Sequence, residues 1–146
     1  MKITYKLYVS LFISLFFLSA HAINLSKVRT VPINGTVSLT FDDGPNPTTT
    51  IQILKILKKN NIKATFFVMG PLAKKYPKII KKILHEGHAI ASHTMTHKKL
   101  TRLSPKKLYF EIVQAKKLIT QASNGISPVC VRPPYGMGNQ RVAKFI

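Results

Sequence analysis

Acid is scarce in this chain. Its 146 residues carry four carboxylate side chains, Asp42, Asp43, Glu86 and Glu111, against 23 Lys and Arg, for a net charge of +19. With so few acids, two that stand side by side are not explained by charge balance. Cysteine is scarcer still: Cys130 is the only one, which excludes a disulfide within the chain. It lies in the apolar stretch Pro128-Val129-Cys130-Val131 and is expected to behave as a small buried hydrophobe. The one long apolar run, Leu7 to Ala20, is short of the roughly 20 residues of a comfortable membrane span. There is no internal repeat, no low-complexity tract beyond that run, and no nucleic-acid-binding motif.

What the N-terminus does have is the build of an export signal. Lys2 and Lys6 precede the apolar run, and Ala20-His21-Ala22 has the small-x-small pattern of a cleavage site. The expected organisation is a signal peptide over 1–22, a loosely ordered lead-in over 23–36, and one domain over 37–146. Localisation is expected to be exported, periplasmic or extracellular. A basic exported chain is drawn to anionic surfaces such as cell-wall polymers or acidic lipid head groups, although a Lys-rich solvated surface accounts for the charge equally well.

Taken in order, Val37–Phe41 alternates as a first strand, ended by Gly44-Pro45. Thr48 or Thr49 caps a helix bearing Ile51, Leu54 and Leu57, which Asn60-Asn61 ends. Ala64–Met69 is apolar at nearly every position, as in a strand covered on both faces. A second helix begins at Pro77, buries Ile79, Ile80, Ile83 and Leu84, and is capped by Gly87. His88–Ala91 reads as a third strand. A third helix starts at Ser104-Pro105, with Leu108, Ile112, Ala115 and Ile119 on one face, and Gly125 closes it. Pro128–Val131 reads as a fourth strand, and Arg141–Ile146 as the start of another helix. His85 and His88 flank a helix cap and read as surface residues. The order β-α-β-α-β-α-β implies parallel strands with right-handed crossovers.

Ligands of such folds bind at the carboxyl ends of the strands. Asp42-Asp43 follow strand one, His93 and His97 follow strand three, and Arg132 and Tyr135 follow strand four. Asp-Asp-Gly-Pro alone is also an ordinary turn; the convergence of three polar clusters on one rim favours a site. His93 and His97, four apart, share a face if they lie on a helical turn, and with one carboxylate they make a two-His, one-Asp metal set with open positions. Zinc is the default, while cobalt, nickel or non-haem iron also suit these ligands. Either Asp can bind the metal, leaving the other as general base. Arg132 can hold that base ionised, and Pro133-Pro134 stiffen a loop that presents the Tyr135 backbone N–H as an oxyanion donor. The set suits metal-assisted hydrolysis of an amide or ester.

Thr40-Phe41-Asp42-Asp43-Gly44-Pro45, His93-Thr94-Met95-Thr96-His97 and Arg132-Pro133-Pro134-Tyr135-Gly136 together resemble the polysaccharide deacetylases of the NodB-homology type, carbohydrate esterase family 4. The resemblance runs from about Val37 to the C-terminus. It implies the N-terminal part of a distorted parallel (β/α) barrel, a divalent metal, usually zinc, and removal of N-acetyl groups from a peptidoglycan- or chitin-like N-acetylglucosamine polymer. It also assigns roles: Asp42 as catalytic base; Asp43, His93 and His97 as metal ligands; Arg132 orienting the base; Tyr135 donating its N–H.

Two later motifs of that family are missing, an Asp- and Trp-containing segment and a Leu-x-His whose His is the general acid; the chain has no Trp, and its last His is His97. A full barrel takes about 250 residues and a βα unit about 30, so about four units are expected here. The expectation is therefore a C-terminally truncated deacetylase that hydrolyses acetylated glucosamine oligomers very weakly or not at all. The alternative is a non-catalytic cell-wall or glycan-binding remnant. An amidohydrolase of cyclic imides or allantoin-type substrates fits poorly with export. A glycosidase needs carboxylates on opposite sides of the bond about 5–9 Å apart.

Overall fold

Three short strands pair in chain order to form the floor of the molecule, which the computed structural model describes over residues 37–146. They are β1 (Leu39–Gly44), β2 (Ala64–Val68) and β3 (Ala89–Ser92), all parallel. The helices are α1 (Thr49–Lys59), α2 (Gly70–Lys75), α3 (Pro77–His85), α4 (Pro105–Tyr109), α5 (Ala115–Ala122) and α6 (Gln140–Ala143). This is an α/β fold consistent with an incomplete, open (β/α) barrel. The expected signal peptide and lead-in lie outside the described residues. Among those residues no helix is long and apolar enough to cross a membrane.

The central strand β2 is apolar because it is covered on both faces: Phe66, Phe67 and Val68 are all buried. Leu54 and Leu57 of α1, Ile79, Ile80 and Ile83 of α3, Ile90 of β3 and Ile119 of α5 complete the main core. Each fully buried Leu or Ile contributes about 1.5–3 kcal/mol over its exposed state. In α3 the stripe is sharp, with Lys78, Lys81 and Lys82 exposed on the opposite face. A smaller cluster of Leu100, Leu108, Ile112 and Val142 seats α6 against α4 and the turn Leu100–Arg102.

Helix ends follow the sequence in part. Gly87 takes a left-handed conformation after α3, its N–H reaching the Leu84 carbonyl and that of His88 the Ile83 carbonyl. Thr48 and Ser104 stand at N-cap positions but make no side-chain cap bond. At α1 the acceptor is Asn46, whose Oδ1 takes the N–H groups of Thr48 and Thr49 at 2.9 and 3.0 Å. Asn139 caps α6 through the Val142 N–H.

Several expectations are corrected. The first strand does not end at Phe41 but runs through both Asp to Gly44. The expected fourth strand is one parallel bridge, Val131 to Ser92, flanked by backbone bonds from Val129 to Ile90 and from Arg132 to Ser92. Pro128 and Pro133 bracket it, and neither has an N–H to extend the ladder. α2 was not foreseen, because Gly70-Pro71 reads as a stop when it also starts a helix with Pro in its first turn. Cys130 is exposed rather than buried, since the bridge lets residues 129 and 130 lie over the outside of the sheet edge. His88 is buried rather than on the surface: its ring packs edge-on to Phe66, and its Nδ1 accepts the Ala64 N–H at 3.2 Å.

Candidate active site

The carboxyl ends of the strands form the rim, and a defect in β1 shapes its first wall. Phe41 pairs with Phe66 but Gly44 with Val68, so one extra residue is accommodated at Asp42-Asp43. In a regular strand adjacent side chains face opposite ways; the bulge, with Asp43 left-handed at φ 64°, turns both carboxylates to one rim. The Gly44–Pro45 peptide that follows is cis.

The second wall is the segment after β3. His93 and His97 do not share a helical turn. Residues 93–99 are irregular, and Thr94 and His97 both adopt left-handed backbone, at φ 71° and 56°. The rings still converge, 5.0 Å between centroids and edge-to-face. The same two residues that defeat a helix fold the loop back on itself. Asp43, Thr94, His97 and Tyr135 are four of the six left-handed non-glycine residues described; the other two are Asn61 and Asn124, at helix ends, where Asn is well tolerated. Such backbone concentrates at functional sites, held by its surroundings.

The third wall is Arg132–Gly136. Arg132 donates through Nη1 to Asp42 Oδ1 at 2.6 Å and to Thr40 Oγ1 at 3.0 Å, while its guanidinium lies 3.7 Å from the Phe67 ring centroid. Thr40 and Phe67 therefore hold the arginine together with Asp42. Tyr135, left-handed at φ 61°, sets its exposed ring edge-to-face on His97 at 4.8 Å. Its backbone N–H has no partner among the described residues.

A divalent cation fits between the first two walls. The candidate ligand atoms of Asp43, His93 and His97 all lie within 4.8 Å of one another. His93 Nε2 and His97 Nε2 stand 3.6 and 3.5 Å from Asp43 Oδ1. Tetrahedral ligands at bonds of about 2.0–2.1 Å stand about 3.4 Å apart, so these two separations suit such an ion. His93 is buried, and its Nδ1 lies 2.9 Å from the Arg132 carbonyl oxygen. A carbonyl only accepts, so Nδ1 donates this contact and Nε2 is the nitrogen turned toward Asp43.

Two open grooves meet the rim. One of about 540 Å³ is lined by Thr40, Asp42, Asp43, Asn46 and Arg132 above Phe41 and Phe66. The other, about 600 Å³, runs from His97 and Tyr135 past Lys98, Lys99 and Arg102. All six residues expected from the sequence thus come together. Sequence reasoning missed Thr40 as a partner of Arg132, and it missed Glu111, whose carboxylate binds the loop between the two histidines. The signal for Glu111 was available: it lies three residues after Leu108 and four before Ala115, on the apolar stripe of its helix.

Comparison with known proteins agrees with this geometry. The family model described as polysaccharide deacetylase matches residues 31–146. The chain is 38% identical over 125 residues to the peptidoglycan-N-acetylglucosamine deacetylase PgdA of Listeria monocytogenes, covering 86% of this chain and 27% of that protein. It is 39% identical over 122 residues to a chitooligosaccharide deacetylase of Sinorhizobium fredii, covering 81% and 57%. The structure of peptidoglycan deacetylase PdaC from Bacillus subtilis superposes with a TM-score of 0.70 at 45% identity, over 73% of this chain and 52% of that one. The chain spans about half the length of that structure and 27% to 57% of those two curated relatives.

Proposed function

Because the chain belongs to the polysaccharide deacetylase family, we propose that its rim is the metal-binding and proton-accepting part of an N-deacetylase acting on an acetylated glucosamine polymer of the peptidoglycan or chitin type. The observation that carries this reading is the meeting of two sets at one rim. Asp43, His93 and His97 form a cluster suited to a divalent cation, and beside them stands a second carboxylate, Asp42, held separately by Arg132.

Asp43, His93 and His97 would hold the cation, with zinc the first choice for one carboxylate and two imidazoles. When bound, such a cation supplies Lewis acidity that polarises a carbonyl and lowers the pKa of water. The remaining work belongs to the chain's own groups. The Asp42 carboxylate takes the proton of the attacking water. Arg132 pairs with that carboxylate and keeps it turned to the rim. The Tyr135 N–H donates to the oxygen on which negative charge develops. The Arg132 carbonyl keeps the His93 proton on Nδ1, away from the cluster.

The groove past Lys98, Lys99 and Arg102 offers a path for the polymer on one side of the reacting acetyl group. Its cations, with the chain's charge of +19, favour an anionic cell-wall or membrane surface as the place of action. Export by the N-terminal signal fits that setting.

The test is acetate release from hexa-N-acetylchitohexaose and from purified peptidoglycan glycan strands by the zinc-loaded chain, beside Asp42→Asn and Asp43→Ala. Release that depends on zinc and on Asp42 is the expected result, at a rate below that of an ordinary enzyme. A second reading, glycan binding without turnover, is favoured by the basic groove beside the site. Binding of the same oligomers that Asp42→Asn leaves intact, with no acetate released, would establish it in place of the first.

A further inference from the structure

Glu111 is the one buried acid among the described residues, 3% exposed, and no cation pairs with it there. Its partners are neutral donors from a single loop. Oε2 accepts the Met95 N–H at 3.0 Å and the Thr96 N–H at 2.8 Å, and Oε1 accepts the Thr96 hydroxyl. All three donors lie between His93 and His97. That loop has no helical or strand ladder of its own, and two of its residues are left-handed. Its other ties are the Gly70 N–H to the Thr94 carbonyl, the Thr94 N–H to Ser92 Oγ, and at its start the His93 N–H to the Val68 carbonyl and the His93 Nδ1 contact with the Arg132 carbonyl.

The helix that carries Glu111 is also altered. Between α4 and α5 the chain widens into a π turn over Phe110–Gln114, and Glu111 is its second residue. Widened turns of this kind re-aim side chains and recur at functional sites. Here the result is a carboxylate on an otherwise apolar stripe, placed under the turn that joins the two imidazoles.

We propose that Glu111 is a positioning residue for the cation site, anchoring the Met95-Thr96 turn so that the His93 and His97 nitrogens are held at ligand spacing before a cation arrives. This rests on the reading of Asp43, His93 and His97 as the ligands. An anchored loop loses little freedom on binding; a loop without its acceptor must be ordered by the cation itself, and affinity falls. Partners one step removed from a metal typically govern 10–100-fold of its affinity.

Glu111→Leu keeps the bulk and removes the acceptors. Glu111→Gln keeps an oxygen with two lone pairs for the two N–H groups and offers its amide to the Thr96 hydroxyl. Zinc affinity is measured on the full chain by chelator competition, and cobalt is titrated by visible absorption, which reports ligand geometry. Melting in EDTA measures the stability of the cation-free protein. Glu111→Leu is expected to weaken zinc binding about 10–100-fold and to change the cobalt spectrum, with Glu111→Gln within about threefold of wild type. A folded Glu111→Leu with wild-type zinc affinity and an unchanged cobalt spectrum overturns the proposal. Should that variant not fold, Glu111→Asp, which draws the carboxylate back by one methylene, decides on the same readouts: weakened affinity supports the role, wild-type affinity sinks it. Failure of the wild-type chain to bind either metal defeats the ligand reading itself, a separate outcome.

Discussion

The Nδ1 atom of His93 lies 2.9 Å from the backbone carbonyl oxygen of Arg132, across 39 residues of sequence. The contact ties two walls of the rim through an atom that no substitution of Arg132 can remove. It also depends on the short pairing of Val131 with Ser92, which sets the Arg132 backbone beside the end of β3. The bridge that replaces a fourth strand thus serves the site by fixing a ring. Nitrogen-15 long-range correlation spectra of the zinc-loaded protein are expected to show the His93 ring proton on Nδ1. A proton on Nε2 would contradict the assignment and leave no lone pair facing Asp43.

Arg132 is expected to resist conservative exchange. One guanidinium spans Asp42 and Thr40 while lying flat over Phe67. A lysine ammonium could serve both oxygens as the single Nη1 does, but it lacks the planar face that lies over Phe67. Arg132→Lys should lower unfolding free energy in urea by about 1–2 kcal/mol, as for the loss of a partly desolvated cation–π contact. Thr40→Val should cost less, about 0.5–1.5 kcal/mol. Equal stability of Arg132→Lys and wild type would show that the contact over Phe67 contributes nothing in solution.

Much of this arrangement was legible from the residues, and the reasons for the misses are specific. The apolar period of α3, the continuous apolar run of β2 and the Gly87 stop are local signals with one structural meaning each. So are the three polar clusters, because parallel topology sends every strand end to the same rim. The path between His93 and His97 was not legible. Spacing of four fits a helix, and only the left-handed backbone at Thr94 and His97, imposed from outside by Glu111 and Gly70, makes it a loop. Cys130 and His88 were misplaced for a related reason. Their burial depends on which flank of a short strand is covered, and that is decided by distant elements.

Gly70 is expected to tolerate no side chain. A Cβ there would stand 2.8 Å from the Ala115 Cα and 2.9 Å from the Met95 Sδ. Met95 can move its sulfur, but the Ala115 backbone cannot yield without parting α2 from α5. Gly70→Ala should therefore cost about 1–3 kcal/mol, the usual range for overpacking a core. Urea unfolding measures it. A Gly70→Ala chain as stable as wild type would mean that the two helices separate freely, and that the rim loop is not braced from this side.

The last expectation concerns pH, through His88 rather than the rim. Burial, aided by the Lys63 charge, holds the His88 pKa below its ordinary value of 6.5, against a smaller opposing pull from Glu86. Its Nδ1 accepts the Ala64 N–H, so the native state favours the neutral ring. The unfolded chain takes up a proton near pH 6.5 and the folded chain only at lower pH. Stability from this group is therefore complete above pH 6.5 and is lost as pH falls through that value, with a slope of at most about 1.4 kcal/mol per pH unit. His88→Gln offers the Ala64 N–H an acceptor and cannot titrate. Urea unfolding in EDTA between pH 7.5 and 5 should show a steeper loss in wild type than in His88→Gln. His85, His93 and His97 are common to both chains and cancel in the difference. Parallel curves would mean that His88 is protonated as readily in the folded state as in the unfolded one, and that its burial between Phe66 and the Ala64 backbone does not persist in solution.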